Sequence, residues 1–149
     1  MTDTQTAPTG AKVPVWFWIV AVLFVLWNIV GVIDYVSYRL MTETYLAAMG
    51  AEQQAYMTAL PAWLTGVWAA AVFAAFIGAI LFLARMKWAM HLAGLSIALF
   101  LVSLIYHYGM AGALAVSGVG ALIFSLVILA ILAVQFLFAR WAVGRGILR

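Results

Sequence analysis

The stretch VWFWIVAVLFVLWNIVGVIDY, residues 15–35, decides the fold. About 20 helical residues at 1.5 Å each cross a hydrocarbon core of about 30 Å. This run carries one charge, Asp34, near its far end. Lys12 precedes it in the manner of a signal peptide. The run is nevertheless too long for a signal core, and no small-residue cleavage site follows. It reads as a retained first transmembrane helix.

The rest of the chain agrees. Hydrophobic residues make up 69% of it and charged residues 7%, with mean hydropathy +1.20. A water-soluble domain is about half apolar and a quarter charged, so lipid is the solvent here. The 149 residues suit one domain used mostly for membrane spans. The absence of cysteine excludes disulfides, thiolate metal sites and cysteine nucleophiles. Seven basic residues scattered at helix ends make no nucleic-acid patch.

Outward from the first run, residues 1–14 form a small polar tail with Pro8, Gly10 and Pro14, and residues 15–149 form the membrane domain. Residues 36–60 are the longest polar connection. Thr42–Met49 and Ala51–Leu60 read as two short helices divided by Gly50. Tyr45, Leu46 and Met49 fall at helical spacing, which suits an interfacial helix. Span two covers about 61–84, with Pro61 in its first turn. Gly66, Ala70, Ala74 and Gly78 recur every four residues along it, beside a second row of Ala71, Ala75 and Ala79. Small residues let helix backbones approach closely in lipid, so span two reads as the central packing helix. A tight basic turn, Arg85 to Trp88, leads to span three at about 89–108. A short uncharged connection then leads to span four at about 118–139. All four spans read as continuous helices.

These elements predict an all-α integral membrane four-helix bundle with short interfacial helices in its first outer loop. Lys12, Arg85, Lys87, Arg140, Arg145 and Arg149 fall on one side of this topology, and Arg39 falls on the other with Glu43 and Glu52. The positive-inside rule therefore predicts cytoplasmic termini. All six tyrosines fall on the outer side, while Trp16, Trp18, Trp88 and Trp141 mark the inner interface.

Trp27, Gly31, Asp34 and Tyr38 share one helical stripe. Asp34 either faces a cavity open to the outside, as a coupling or substrate-binding carboxylate, or pairs with Arg39 or the start of span two. Ser96, Ser103 and His107 form a stripe in span three that ends on the same side, within reach of Asp34. Asp34, Tyr38, Arg39 and His107 are therefore the candidate binding residues. Asn28, on another face, and Gln135 suit interhelical hydrogen bonds. With Gly31, Gly66, Ala70, Ala74 and Gly78 they form the expected packing set. His91 lies about 24 Å along the helix from His107, so the two cannot ligate one metal or haem. No cofactor or metal is expected, and no HExxH, P-loop, GxSxG or GxGxxG pattern points to an enzyme.

Trp27-Asn28 through Asp34-Tyr35, Glu52-Gln53-Gln54-Ala55-Tyr56, Pro61-Ala62-Trp63 and Arg85 through Ala89, in this order, resemble a family of small bacterial four-span inner-membrane proteins. Some members of that family carry a sugar-transporter label. The resemblance covers about residues 15–108 and implies the topology and a Gram-negative inner membrane, but it transfers no functional residue. Two functions follow from the sequence. The first is a non-enzymatic protein that acts by helix packing in lipid, with copies of itself or as an accessory subunit of a larger assembly. The alternative is a sugar-like small-solute transporter, working at least as a dimer, in which Asp34 is the working carboxylate.

Overall fold

A computed structural model describes residues 13–40 and 43–149. The N-terminal tail up to Lys12, and Thr42 of the first expected loop helix, lie outside the described residues. The described elements are helices: α1 (Val15–Leu40), α2 (Glu43–Ala47), α3 (Ala51–Thr58), α4 (Ala62–Leu83), α5 (Trp88–Ile105) and α6 (Ala113–Gly144). A π-helical turn, Tyr106–Met110, continues α5. Four segments are long and apolar enough to cross a membrane: α1, α4, α5 with its π turn, and α6.

These four form an antiparallel bundle in which α4 packs against α1 and α5, and α5 against α6. The most extensive contact is α4 with α5. Its seam is Ala71, Ala74, Ala75, Gly78 and Ala79, all buried. A Cβ added at Gly78 would stand 3.3 Å from Leu92 Cβ and 3.5 Å from the Ala89 carbonyl oxygen. Gly66 and Ala70 leave the seam and are exposed. The cause is helical geometry. A row of strict four-residue steps drifts about 40° per step, whereas a straight seam alternates threes and fours.

At the end carrying the termini, phenylalanines close the bundle. Phe17 stacks on Phe82 at 4.7 Å between ring centroids, and Phe82 lies 5.3 Å from Phe138. Two helices stop here by the same device. The Met86 N–H reaches the Leu81 carbonyl at 2.8 Å, and the Arg85 N–H reaches Phe82 at 3.0 Å. The Ile147 N–H reaches Ala142 at 2.9 Å, and the Gly146 N–H reaches Val143 at 3.0 Å. Both are Schellman closures, which need a left-handed residue. Gly146 adopts φ 66° at no steric cost, whereas Arg85 takes φ 61° against its own Cβ. The second closure turns Ile147 and Leu148 under the bundle, where both are buried. Arg149 then pairs by backbone with the first closure: its N–H reaches the Arg85 carbonyl at 2.8 Å, and the Lys87 N–H reaches its carbonyl at 3.0 Å.

At the opposite end one expectation of continuous helix fails, in the third span, and the fourth helix starts earlier than expected with a break at the expected boundary. The Ala111 N–H bonds to the Tyr106 carbonyl at 2.9 Å, five residues back, which widens the end of the third span into the π turn. In α6, Gly118 adopts φ 72° and ψ 176°, a conformation essentially reserved for glycine. It separates a first turn, 113–117, from the rest of the helix. The expected uncharged connection is therefore partly helical. The first span also runs on to Leu40, past the apolar boundary near residue 35, because Tyr38 packs inward beneath the loop helices.

Candidate functional site

Above mid-height, towards the loop end, the bundle holds two adjoining cavities of about 270 and 290 Å³. Asp34, Trp68, Ala71, Phe100 and Ile128 line both, and Asp34 is the one ionisable residue they share. The inner cavity, between α1 and α6, is walled mainly by apolar side chains, among them Trp27, Val72, Phe124 and Leu132. The outer cavity is walled by Tyr38, Tyr45, Tyr56, Ser103, His107 and Tyr108, among others. α2 and α3 contribute Tyr45, Gln53, Tyr56 and Met57 to it, so the first connection caps the bundle end.

The floor is a polar layer. Asn28 Nδ2 donates to the Phe24 carbonyl at 2.7 Å and to Gln135 Oε1 at 3.0 Å, and Gln135 Nε2 donates to the Ala75 carbonyl at 3.2 Å. Ser96 Oγ donates to the Ala71 carbonyl at 2.9 Å. Consecutive turns of α4 thus accept from α5 and α6, and α6 is tied to α1. Each buried donor is matched, as apolar surroundings demand. Asn28 Oδ1 accepts nothing from the described residues, and Asn28 lines the inner cavity.

Around the mouth, the hydroxyls find partners on neighbouring elements. Tyr56 and His107 Nδ1 share a 2.6 Å hydrogen bond. Burial pushes the Tyr56 phenol up, so it keeps its proton, and the tautomer of the imidazole sets which group donates. Ser125 spends its proton on the Ala121 carbonyl at 2.9 Å, so the Tyr108 hydroxyl donates to Ser125 Oγ at 3.3 Å. The Tyr38 hydroxyl points at the Met57 carbonyl at 3.4 Å. Tyr45 is pushed up to about 12, by burial first and then by the negative charge of Asp34. Its hydroxyl therefore keeps its proton.

Compared with known proteins, the chain matches no family model, no curated protein and no solved structure.

The structure brings three of the four candidate binding residues together: Asp34, Tyr38 and His107 line the outer cavity. Arg39 is exposed and lines neither cavity. Five residues rotate it about 180° minus 40° away from Asp34 around the helix, at about 100° per residue. Among the described residues no ion pair or hydrogen bond reaches the Asp34 carboxylate, from Arg39, His107 or the start of α4. His107 is engaged by Tyr56 instead. The α1 stripe Trp27, Gly31, Asp34, Tyr38 and the α5 stripe Ser96, Ser103, His107 both face the cavities. Asn28 is not segregated from Asp34 as its separate face suggested, because both line the inner cavity. Of the packing set, Asn28, Ala74, Gly78 and Gln135 are buried, while Gly31 makes only ordinary contact with Val72 at 4.0 Å. Sequence reasoning missed Tyr45, Tyr56, Trp68 and Phe100 as lining residues. The first two sit on loop helices, and the others look like ordinary span residues.

Proposed function

We propose that this chain is a multi-pass, non-enzymatic membrane protein that admits a small solute into its bundle from the loop end, as a binding or transport component, with Asp34 as the working carboxylate. The observation that carries this reading is the pair of joined cavities that share Asp34 above the Asn28–Gln135 floor. Binding sites are concave, mainly apolar, and carry a few convergent polar groups. Here the cavity lies within a single chain. The phenylalanine cluster closes the opposite end, so passage across the bilayer requires that seal to part, as alternating access demands. The charge distribution supports cytoplasmic termini, because Arg85, Lys87, Arg140, Arg145 and Arg149 oppose Arg39.

The packing role rested on the small residues of α4. Most of these are used inside the chain, against α5. Gly66 and Ala70 remain on the outside, and they keep assembly with other membrane chains as the second reading.

Thermal unfolding of the purified chain with a panel of sugars, ammonium compounds, carboxylates and alcohols tests the proposal. A ligand that binds only the folded state raises the melting temperature. At least one class should do so for the natural chain and fail with Ile128→Trp, which fills the shared neck. No shift across the panel contradicts solute binding.

A further inference from the structure

The cavities also carry a statement about ligand class. Among the described residues, their walls contain one carboxylate, Asp34, and no lysine or arginine. That carboxylate has no partner among the described residues. An unpaired charge in apolar surroundings is costly, so the site lacks a positive group that the chain itself does not supply.

The surroundings define the kind of cation. Tyr38 and Trp68 lie 5.0 Å apart between ring centroids, and Tyr38 and Tyr45 lie 6.3 Å apart. All three rings line the outer cavity with Asp34. A carboxylate beside several aromatic faces suits an ammonium group, which ring faces attract within about 6 Å. A bare metal ion fits less well: calcium takes about 6–8 oxygen ligands, and no group of three or more histidine, cysteine, aspartate or glutamate residues exists among the described residues. Two further residues on the walls carry an oxygen that no donor among the described residues reaches. Ser103, 8% exposed, lines the outer cavity with no hydrogen bond to its hydroxyl among the described residues, and Asn28 lines the inner one. Below Asp34 the inner cavity is apolar and lies between α1 and α6, sized for a short hydrocarbon portion.

We infer that the site takes an organic cation with an apolar tail, its ammonium held by Asp34 among Tyr38, Tyr45 and Trp68 and its tail in the inner cavity between α1 and α6. This rests on the solute-binding reading and adds the substrate class. The same chemistry is offered by a free alkylammonium compound and by the amine headgroup of a membrane lipid.

Calorimetric titration of the full chain in maltoside detergent tests it with hexyltrimethylammonium, hexanoate and hexanol. The cation should bind, and hexanoate should not. Asp34→Asn should weaken cation binding about tenfold or more, while Asp34→Glu retains it. Because no protein partner is lost, both variants should stay folded, and Asp34→Asn should unfold at a temperature no lower than that of the natural chain. Tyr45→Leu, which keeps the charge and removes a ring, should give a smaller loss. Equal binding of all three probes, or a cation affinity unchanged in Asp34→Asn, overturns the cation assignment while leaving solute binding intact. Failure of hexyltrimethylammonium while a sugar or carboxylate binds in the thermal panel overturns it too. Native mass spectrometry separates the two sources. An amine phospholipid that stays on the natural chain and leaves Asp34→Asn identifies the headgroup, whereas cation binding without a retained lipid identifies a free solute.

Discussion

At the end carrying the termini, Phe17, Phe82 and Phe138 sit within 6.1 Å of one another and the last residues of the chain fold beneath them. At the loop end, tyrosines stand around a cavity, each with a hydroxyl to satisfy. Both ends are walled by aromatic rings, with α2 and α3 adding two of those at the loop end. What sets the tyrosines apart from the phenylalanines is one oxygen per ring. Phenylalanine can stack into a dry plug with no polar obligation. Tyrosine needs a partner when buried, and here the partners lie on different elements: His107 for Tyr56, Ser125 for Tyr108 and the Met57 carbonyl for Tyr38. Those bonds hold the rings at the wall and leave the middle open. The backbone follows the same division. Two Schellman closures and a backbone pairing finish the closed end, while a π turn and the Gly118 break loosen the open one.

The largest test of that contrast is removal of a ring from each end. Phe82→Ala should cost about 3–5 kcal/mol, because the site is closely packed. Tyr45→Ala, at a wall that already faces a cavity, should cost about 1 kcal/mol or less. Reversible unfolding in mixed micelles measures both, and equal losses would erase the distinction between plug and wall. A smaller effect separates the two parts of the small-residue row. Gly78→Val should cost about 1–3 kcal/mol through overpacking against Leu92, whereas Gly66→Val, with nothing within 4 Å of its added Cβ, should be close to neutral. Smallest is a pH effect. The folded state holds the Tyr45 proton up to about 12, and the unfolded chain releases it near the ordinary value of 10.0. The unfolded state therefore binds fewer protons across that interval, and stability falls as pH rises through it. Tyr45→Phe should flatten that decline, and Asp34→Asn should lower the pKa of Tyr45 because one of the charges raising it is gone. Absorbance titration of the phenols and alkaline melting curves report the two effects.

The four spans were legible because a long apolar run has few other uses, and the Arg85–Trp88 turn because its charges interrupt such runs. The two polar stripes were legible because helical spacing alone decides which residues share a face. What escaped depended on neighbours. The four-residue row on α4 looked like one seam, but drift about the axis sends Gly66 and Ala70 outward. Arg39 looked like a partner for Asp34 by proximity in sequence, yet helical rotation turns it away. The tucked Ile147 and Leu148 were hidden because a closure at Gly146 acquires its meaning only when another helix end lies alongside. Tyr45 and Tyr56 joined the site through the fold of a connection that has no strong periodicity of its own.

Because the chain lacks cysteine, single-cysteine labelling can probe both ends directly. Ser103→Cys places a thiol in the outer cavity, and Ala21→Cys places one in the fully buried closed end. A charged, membrane-impermeant thiol reagent applied to vesicles of each orientation should modify Ser103→Cys from the loop-end face and leave Ala21→Cys unmodified from either face. An unreactive Ser103→Cys, or an Ala21→Cys that reacts as fast, would contradict a bundle open at one end and sealed at the other.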